Sequence, residues 1–176
     1  MLNLKRFGRN VICRCLQPTR RITTEPVKDV PVAPKLLGIA GLIPFVGTSA
    51  LAVYMPEAVV LVSELQATYG ASILSFMGAV HFGLAMADYG STRYRMLRYS
   101  LSTVPCLIGF FTLVCVPHIP MRLIIEALAF NGLLYGDYKC LGLGLVPKWY
   151  LKLRIGLTSI VTLCLGTNLY ISYQKK

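Results

Sequence analysis

The chain has 176 residues, of which 55% are hydrophobic and only 14% charged, at a mean hydropathy of +0.62. A soluble domain would carry roughly a quarter charged residues, so the composition excludes an ordinary globule and requires lipid as a second apolar solvent. The net charge of +11 would suit nucleic acid, but six of the 18 basic residues (Lys5, Arg6, Arg9, Arg14, Arg20 and Arg21) crowd into the first 21 positions and the others flank apolar runs. The expected partner is therefore the lipid bilayer and not nucleic acid.

Residues 1–25 are rich in Arg and free of acid until Glu25, and they interleave Leu2, Leu4, Phe7, Val11, Ile12 and Leu16 with the bases. That is the pattern of an amphipathic mitochondrial presequence. Arg9 and Arg14 interrupt any apolar core of the kind a secretory signal needs. The plainer alternative is a basic tail beside a membrane helix. Residues 26–35, with Pro26, Pro31 and Pro34, read as an extended linker.

Residues 36–176 form the expected transmembrane domain. Five apolar stretches, about 36–54, 70–87, 101–117, 121–138 and 155–173, are each long enough to cross a hydrocarbon layer of ~30 Å as a helix. The ten-residue alternation of a membrane barrel is missing, so the fold class is an all-α bundle of five transmembrane helices. All ten tyrosines and Trp149 fall in the intervening loops or near the stretch ends, as an aromatic belt requires.

Arg93, Arg95 and Arg98 mark the second loop and Lys139, Lys148, Lys152 and Arg154 the fourth, whereas the first holds Glu57 and Glu64 without a base. By the positive-inside rule the basic loops face the matrix of a mitochondrial inner membrane. The mature N-terminus then lies in the matrix and Lys175–Lys176 in the intermembrane space. Two loops, 56–68 and 141–153, carry interfacial mixtures of apolar and charged residues and are expected to lie flat on the membrane.

The segments Leu37-Gly-Ile-Ala-Gly-Leu-Ile-Pro-Phe45 and Tyr69-Gly-Ala-Ser-Ile-Leu-Ser-Phe-Met-Gly-Ala-Val-His-Phe-Gly83 carry a family likeness. Over about residues 36–173 the chain resembles the domain-of-unknown-function family typified by transmembrane protein 69, which has bacterial relatives. Phe82 stands where the motif is expected to have Trp. The resemblance implies a five-helix membrane protein, mitochondrial in eukaryotes, and implies no particular reaction.

Several residues are candidates for more than spanning. Ala71, Ser75, Ala79, Gly83 and Ala87 recur every four positions in the second stretch and read as a smooth helix-packing face. The common use of such a face is packing inside the bundle, and the more specific one is docking of another protein. Pro44, among Gly38, Gly41 and Gly47, is expected to kink the first helix. His81 is the deepest titratable group and shares a depth with Asn131, which makes a hydrogen bond to Asn131 or to a backbone carbonyl the expected contact. Arg122 and Glu126 are four residues apart on one helix and are expected to pair, the alternative being a proton or cation relay through His81 and Glu126.

Neither catalytic, metal-binding nor cofactor motifs stand out, and the six cysteines contain no Cys-x-x-Cys pair and read as apolar fillers. The sequence therefore points to a non-enzymatic inner-membrane protein that assembles or stabilises membrane complexes, with other inner-membrane proteins as partners. The alternative is a small transporter of a solute, ion or proton, built on His81, Glu126, Asn131 and Pro44.

Overall fold

The computed structural model describes residues 30–174, and every regular element among them is helical. The expected presequence, residues 26–29 of the expected linker and the last two lysines lie outside the described residues. The rest of that linker is not extended as expected, because the first helix already starts at Val32. Six α-helices follow in order: α1 Val32–Ala40, α2 Ile43–Tyr54, α3 Val59–Met86, α4 Arg95–Cys115, α5 Ile119–Gly142 and α6 Lys148–Gln174. Taking α1 with α2, and α3 with the 3-10 turn Pro56–Ala58 that precedes it, five segments of 23, 31, 21, 24 and 27 residues are long and apolar enough to cross a membrane.

Four of the helices run well past the apolar stretches that announce them. An apolar window ends where charge begins, but helical hydrogen bonds do not. The 28 residues of α3 reach about 42 Å at 1.5 Å per residue, against a hydrocarbon layer of about 30 Å. Residues 56–68 accordingly do not lie flat. After Pro56–Ala58 the helix is unbroken from Val59, and Val59, Val62, Gln66, Ala67, Gly70, Leu74 and Gly78 form one continuous buried face. The 141–153 segment is not flat either: α5 continues to Gly142, the chain turns with Gly144 at φ +68°, and Lys148 opens α6.

Helix α3 packs against each of the other four spans. Its tightest seam is with the antiparallel α4. A side chain at Gly109 would meet the carbonyl oxygen of Ala71 at 3.0 Å and its Cβ at 3.2 Å, and one at Gly78 would run into the carbonyl of Ser102. Ala71, Gly78 and Ala85, all buried, are seven residues apart, a spacing that drifts by only about 20° per step around a helix. The four-residue stripe drifts by about 40° per step, so Ala71 and Ala87 end on nearly opposite sides. The expected packing face is corrected in consequence. Ala71 is buried and Ser75 half-buried, but Ala79, Gly83 and Ala87 are exposed on the outside of the bundle.

The first span breaks where Pro44 requires it. Pro44 has no N–H for the carbonyl of Ala40, so α1 ends there and Pro44 sits in the first turn of α2. The turn at Gly41–Leu42 exposes the Gly41 carbonyl, which accepts a hydrogen bond from the Tyr69 hydroxyl at 3.0 Å. Tyr69 therefore faces inward from α3 and stacks edge-on against Phe45 at 5.2 Å, instead of joining an interfacial belt. Around this point lies the main apolar core: Phe45, Ala67, Leu74, Leu123, Phe130, Val161, Cys164 and Leu165.

Alternation of the spans places the start of α1 and the α3–α4 and α5–α6 turns at one end. Arg98 ties the two turns together there, donating to the carbonyls of Tyr89 at 2.7 Å and Leu145 at 3.2 Å. Replacing Gly78 with Leu should push α4 off α3 and lower stability by about 1–3 kcal/mol, as overpacking does. Gly132, which faces open space, should tolerate Leu. Thermal unfolding of both variants in mild detergent checks the contrast.

Candidate functional site

At one end of the bundle Arg154, which composition assigns to a loop, and Asp137, at the edge of its apolar stretch, are both buried. Asp137 lies on the inward face of α5, in phase with Leu123, Glu126 and Phe130, and is 1% exposed. Its Oδ1 lies 2.5 Å from His81 Nε2 on α3, and its Oδ2 accepts from Arg154 Nε on α6 at 2.8 Å. Arg154 is itself 3% exposed and extends Nη1 to the Met77 sulfur. Tyr150 closes the group with its ring edge-on to His81. One carboxylate thus joins three helices, and the Arg154 charge is matched on the spot. A buried pair of this kind is favourable only when its hydrogen bonds are made, and here both carboxylate oxygens make them.

This arrangement replaces two expected contacts. Asn131 does not meet His81, because six residues from Asp137 it points to a different side of α5. It is exposed and donates to the Ala127 carbonyl and to Thr162 Oγ1 at 3.0 Å. Arg122 does not pair with Glu126. Its Nη1 donates to Glu64 Oε1 on α3 at 2.6 Å and its Nε to the Val116 carbonyl at 2.6 Å. Side chains one turn apart on a helix compete with cross-helix partners, and the continuation of α3 through Glu64 supplies one. Glu126 is left fully buried, pressed against Gly70 of α3. His81 and Glu126 do not adjoin: Asp137 and Glu126 are eleven residues apart on α5, about 16 Å along the axis, with Phe130 and Leu74 in the core between the two levels.

Residues that composition did not single out are Asp137, Arg154, Glu64, Gln66 and Asn168. The last two hydrogen-bond to each other inside the bundle, between α3 and α6. The signal that marks Asp137 is its helical phase with Leu123 and Phe130. On the outside, Ser75 and Ala79 of the small-residue stripe line a shallow groove between α3 and α4, with Phe82, Ser102, Cys106 and Leu107.

The family described as "Protein of unknown function (DUF3429)" matches residues 30–170, which covers all five spans. This chain belongs to the DUF3429 family. Among relatives, it is 32% identical to "Transmembrane protein 69" of Xenopus tropicalis over 153 residues, which is 85% of this chain and 58% of that protein. It is 23% identical to "Transmembrane protein 69" of Mus musculus over 140 residues, 80% of this chain and 56% of that one. The chain thus spans a little over half the length of these relatives. No solved structure matches it. With its five apolar spans, this DUF3429 member is a multi-pass membrane protein.

In such a protein the His81–Asp137–Arg154 group acts as a clasp. Asp137→Asn should leave the Arg154 charge buried against a neutral amide and reduce stability by about 3–5 kcal/mol. The paired change Asp137→Leu with Arg154→Met should recover a large part, because both charges leave together. His81→Phe should be milder. Thermal unfolding of the purified variants in detergent reads all three.

Proposed function

We propose that this DUF3429 protein is a non-enzymatic component of the mitochondrial inner membrane that holds another membrane protein during assembly or stabilisation of a complex. The observation that carries the reading is the groove beside Ala79. Ala79, Gly83 and Ala87 are exposed along α3 and keep its outer side smooth, and Ala79 lines the groove with Phe82, Cys106 and Leu107. In lipid, helices associate through close backbone approach, and small residues permit it. A transmembrane helix of a partner fits that chemistry better than a solute, because the groove is shallow, apolar and open to the bilayer.

The location rests on the Arg-rich leader and on the gathering of Lys35, Arg93, Arg95, Lys139, Lys148 and Lys152 at one end of the bundle. By the positive-inside rule that end faces the matrix, with the C-terminus in the intermembrane space. Protease added after rupture of the outer membrane should remove a C-terminal tag and spare one placed just before Val32. The opposite pattern reverses the orientation.

Replacing Ala79 and Gly83 with Leu should leave abundance and unfolding temperature near those of the unaltered protein, since neither residue is packed. It should also abolish migration as part of a larger complex on native gels. Retention of that migration by the double variant, at normal abundance, would overturn the docking reading.

A further inference from the structure

Glu126 is 0% exposed, and among the described residues neither of its carboxyl oxygens meets a hydrogen-bond partner. Oε2 occupies the place where a side chain at residue 70 would begin, so only glycine there admits it. One turn earlier on α3, Gln66 accepts a hydrogen bond from the Asn168 amide of α6, while Gln66 Nε2 and Asn168 Oδ1 remain without partners, as does Ser63 Oγ. This part of the core therefore holds a carboxyl and several unsatisfied polar atoms, brought in by α3, α5 and α6.

The nearest countercharge is engaged elsewhere. Arg122 precedes Glu126 by one turn and lies along the same flank of α5. Its guanidinium is turned toward the membrane surface, onto Glu64, whose side chain is 43% exposed against 13% for Arg122. Two carboxyls thus lie within range of one arginine, an outer one that is paired and an inner one that is not. Among the described residues no other charge competes at this level. On α3 the residue at the level of Glu126 is Gly70, and His81 is eleven residues further along. Arg95 and Arg98 on α4, and Lys148, Lys152 and Arg154 on α6, belong to the opposite end. On α6, Asn168 meets Gln66 one turn away and Cys164 lies in the adjoining core, and α2 carries no charged residue.

An ionised carboxylate without a partner in an apolar interior costs several kcal/mol, and a proton or a countercharge removes that penalty. We propose that Glu126 is an intramembrane proton-binding site whose occupancy is read by Arg122. With the proton bound, Glu126 is a neutral acid and Arg122 pairs with Glu64. When the O–H bond breaks, the proton leaves to water at the Glu64 end and the electron pair stays on Glu126. Arg122 then turns inward to the new carboxylate, and Glu64 is solvated by water. No co-reactant is needed, and the exchange alters the seam between α3 and α5. The site is separate from the groove on α3–α4, so neither reading depends on the other.

The test uses the full-length protein in liposomes and the apolar probe dicyclohexylcarbodiimide, which adds to a carboxyl only in its protonated form. Peptide mass spectrometry should place the adduct on Glu126 and not on Glu57 or Glu64, with yield lost as the pH is raised. Arg122→Gln should carry the labelling to higher pH, because the inward countercharge is gone. Infrared difference spectra supply a second readout: a protonated-carboxyl band that disappears on raising the pH and is missing in Glu126→Gln. That variant should fold normally, since glutamine resembles the neutral acid. Absence of both adduct and band on Glu126 at acid pH, or a pH profile that Arg122→Gln does not move, would overturn the proposal.

Discussion

The fold depends on how close other backbones can come to α3. In lipid there is no hydrophobic force to drive one apolar helix against another, so contact distance decides. Gly78 and Gly109 bring α3 and α4 to within reach of each other's backbone, and Gly70 leaves the space into which Glu126 of α5 fits. Each of these glycines admits a different neighbour: a carbonyl, an alanine and a carboxyl. Because α3 touches all the other spans, a side chain added at any of these points would propagate through the bundle instead of staying local.

The polar residues are arranged in two levels separated by Phe130, Leu74 and their neighbours. At the basic end, Asp137 has both oxygens occupied by His81 and Arg154, and such a group fixes geometry. At the other end, Glu126 and parts of Gln66 and Asn168 lack partners among the described residues, and such a group is free to change state. The same chemistry, a carboxyl inside a helical bundle, thus serves opposite purposes according to whether its lone pairs are filled. The neighbouring arginine makes the difference: Arg154 is committed to Asp137, whereas Arg122 looks outward to Glu64.

Five spans and an all-helical architecture were legible in the composition, because apolar runs of this length leave no other way to satisfy the backbone in lipid. The break before Pro44 was legible for an equally local reason, the missing N–H. Helix ends were not, since Arg154 and Gln66 look like loop residues, and Asp137 sits at the edge of its stretch beside Lys139, until the helical phase of Leu123 and Phe130 or of Val62 and Leu74 is followed through them. The small-residue face was misjudged at Ala79, Gly83 and Ala87 because a repeat of four is not the period of a straight helix, and the repeat of seven through Ala71, Gly78 and Ala85 was the one that packed. The depth of His81 marks it in the sequence as a residue needing a partner, but shared depth with Asn131 does not reveal which side of α5 faces it. The Arg122–Glu64 bridge was hidden for a different reason: it joins residues 58 positions apart, and such pairings come only with the three-dimensional packing.

The bridge between Asp137 and Arg154 also bears on how the chain enters the bilayer. These residues belong to consecutive helices, 17 positions apart and joined by one short turn. Either helix inserted alone would carry a bare charge, whose cost is about 2.5–3.5 kcal/mol at a helix centre and smaller toward the end where these residues sit. Inserted as a hairpin, α5 and α6 bring the two charges in already neutralised. The favoured unit of insertion is therefore the pair, and a translocation machine that released α5 before α6 had reached it would face the larger barrier.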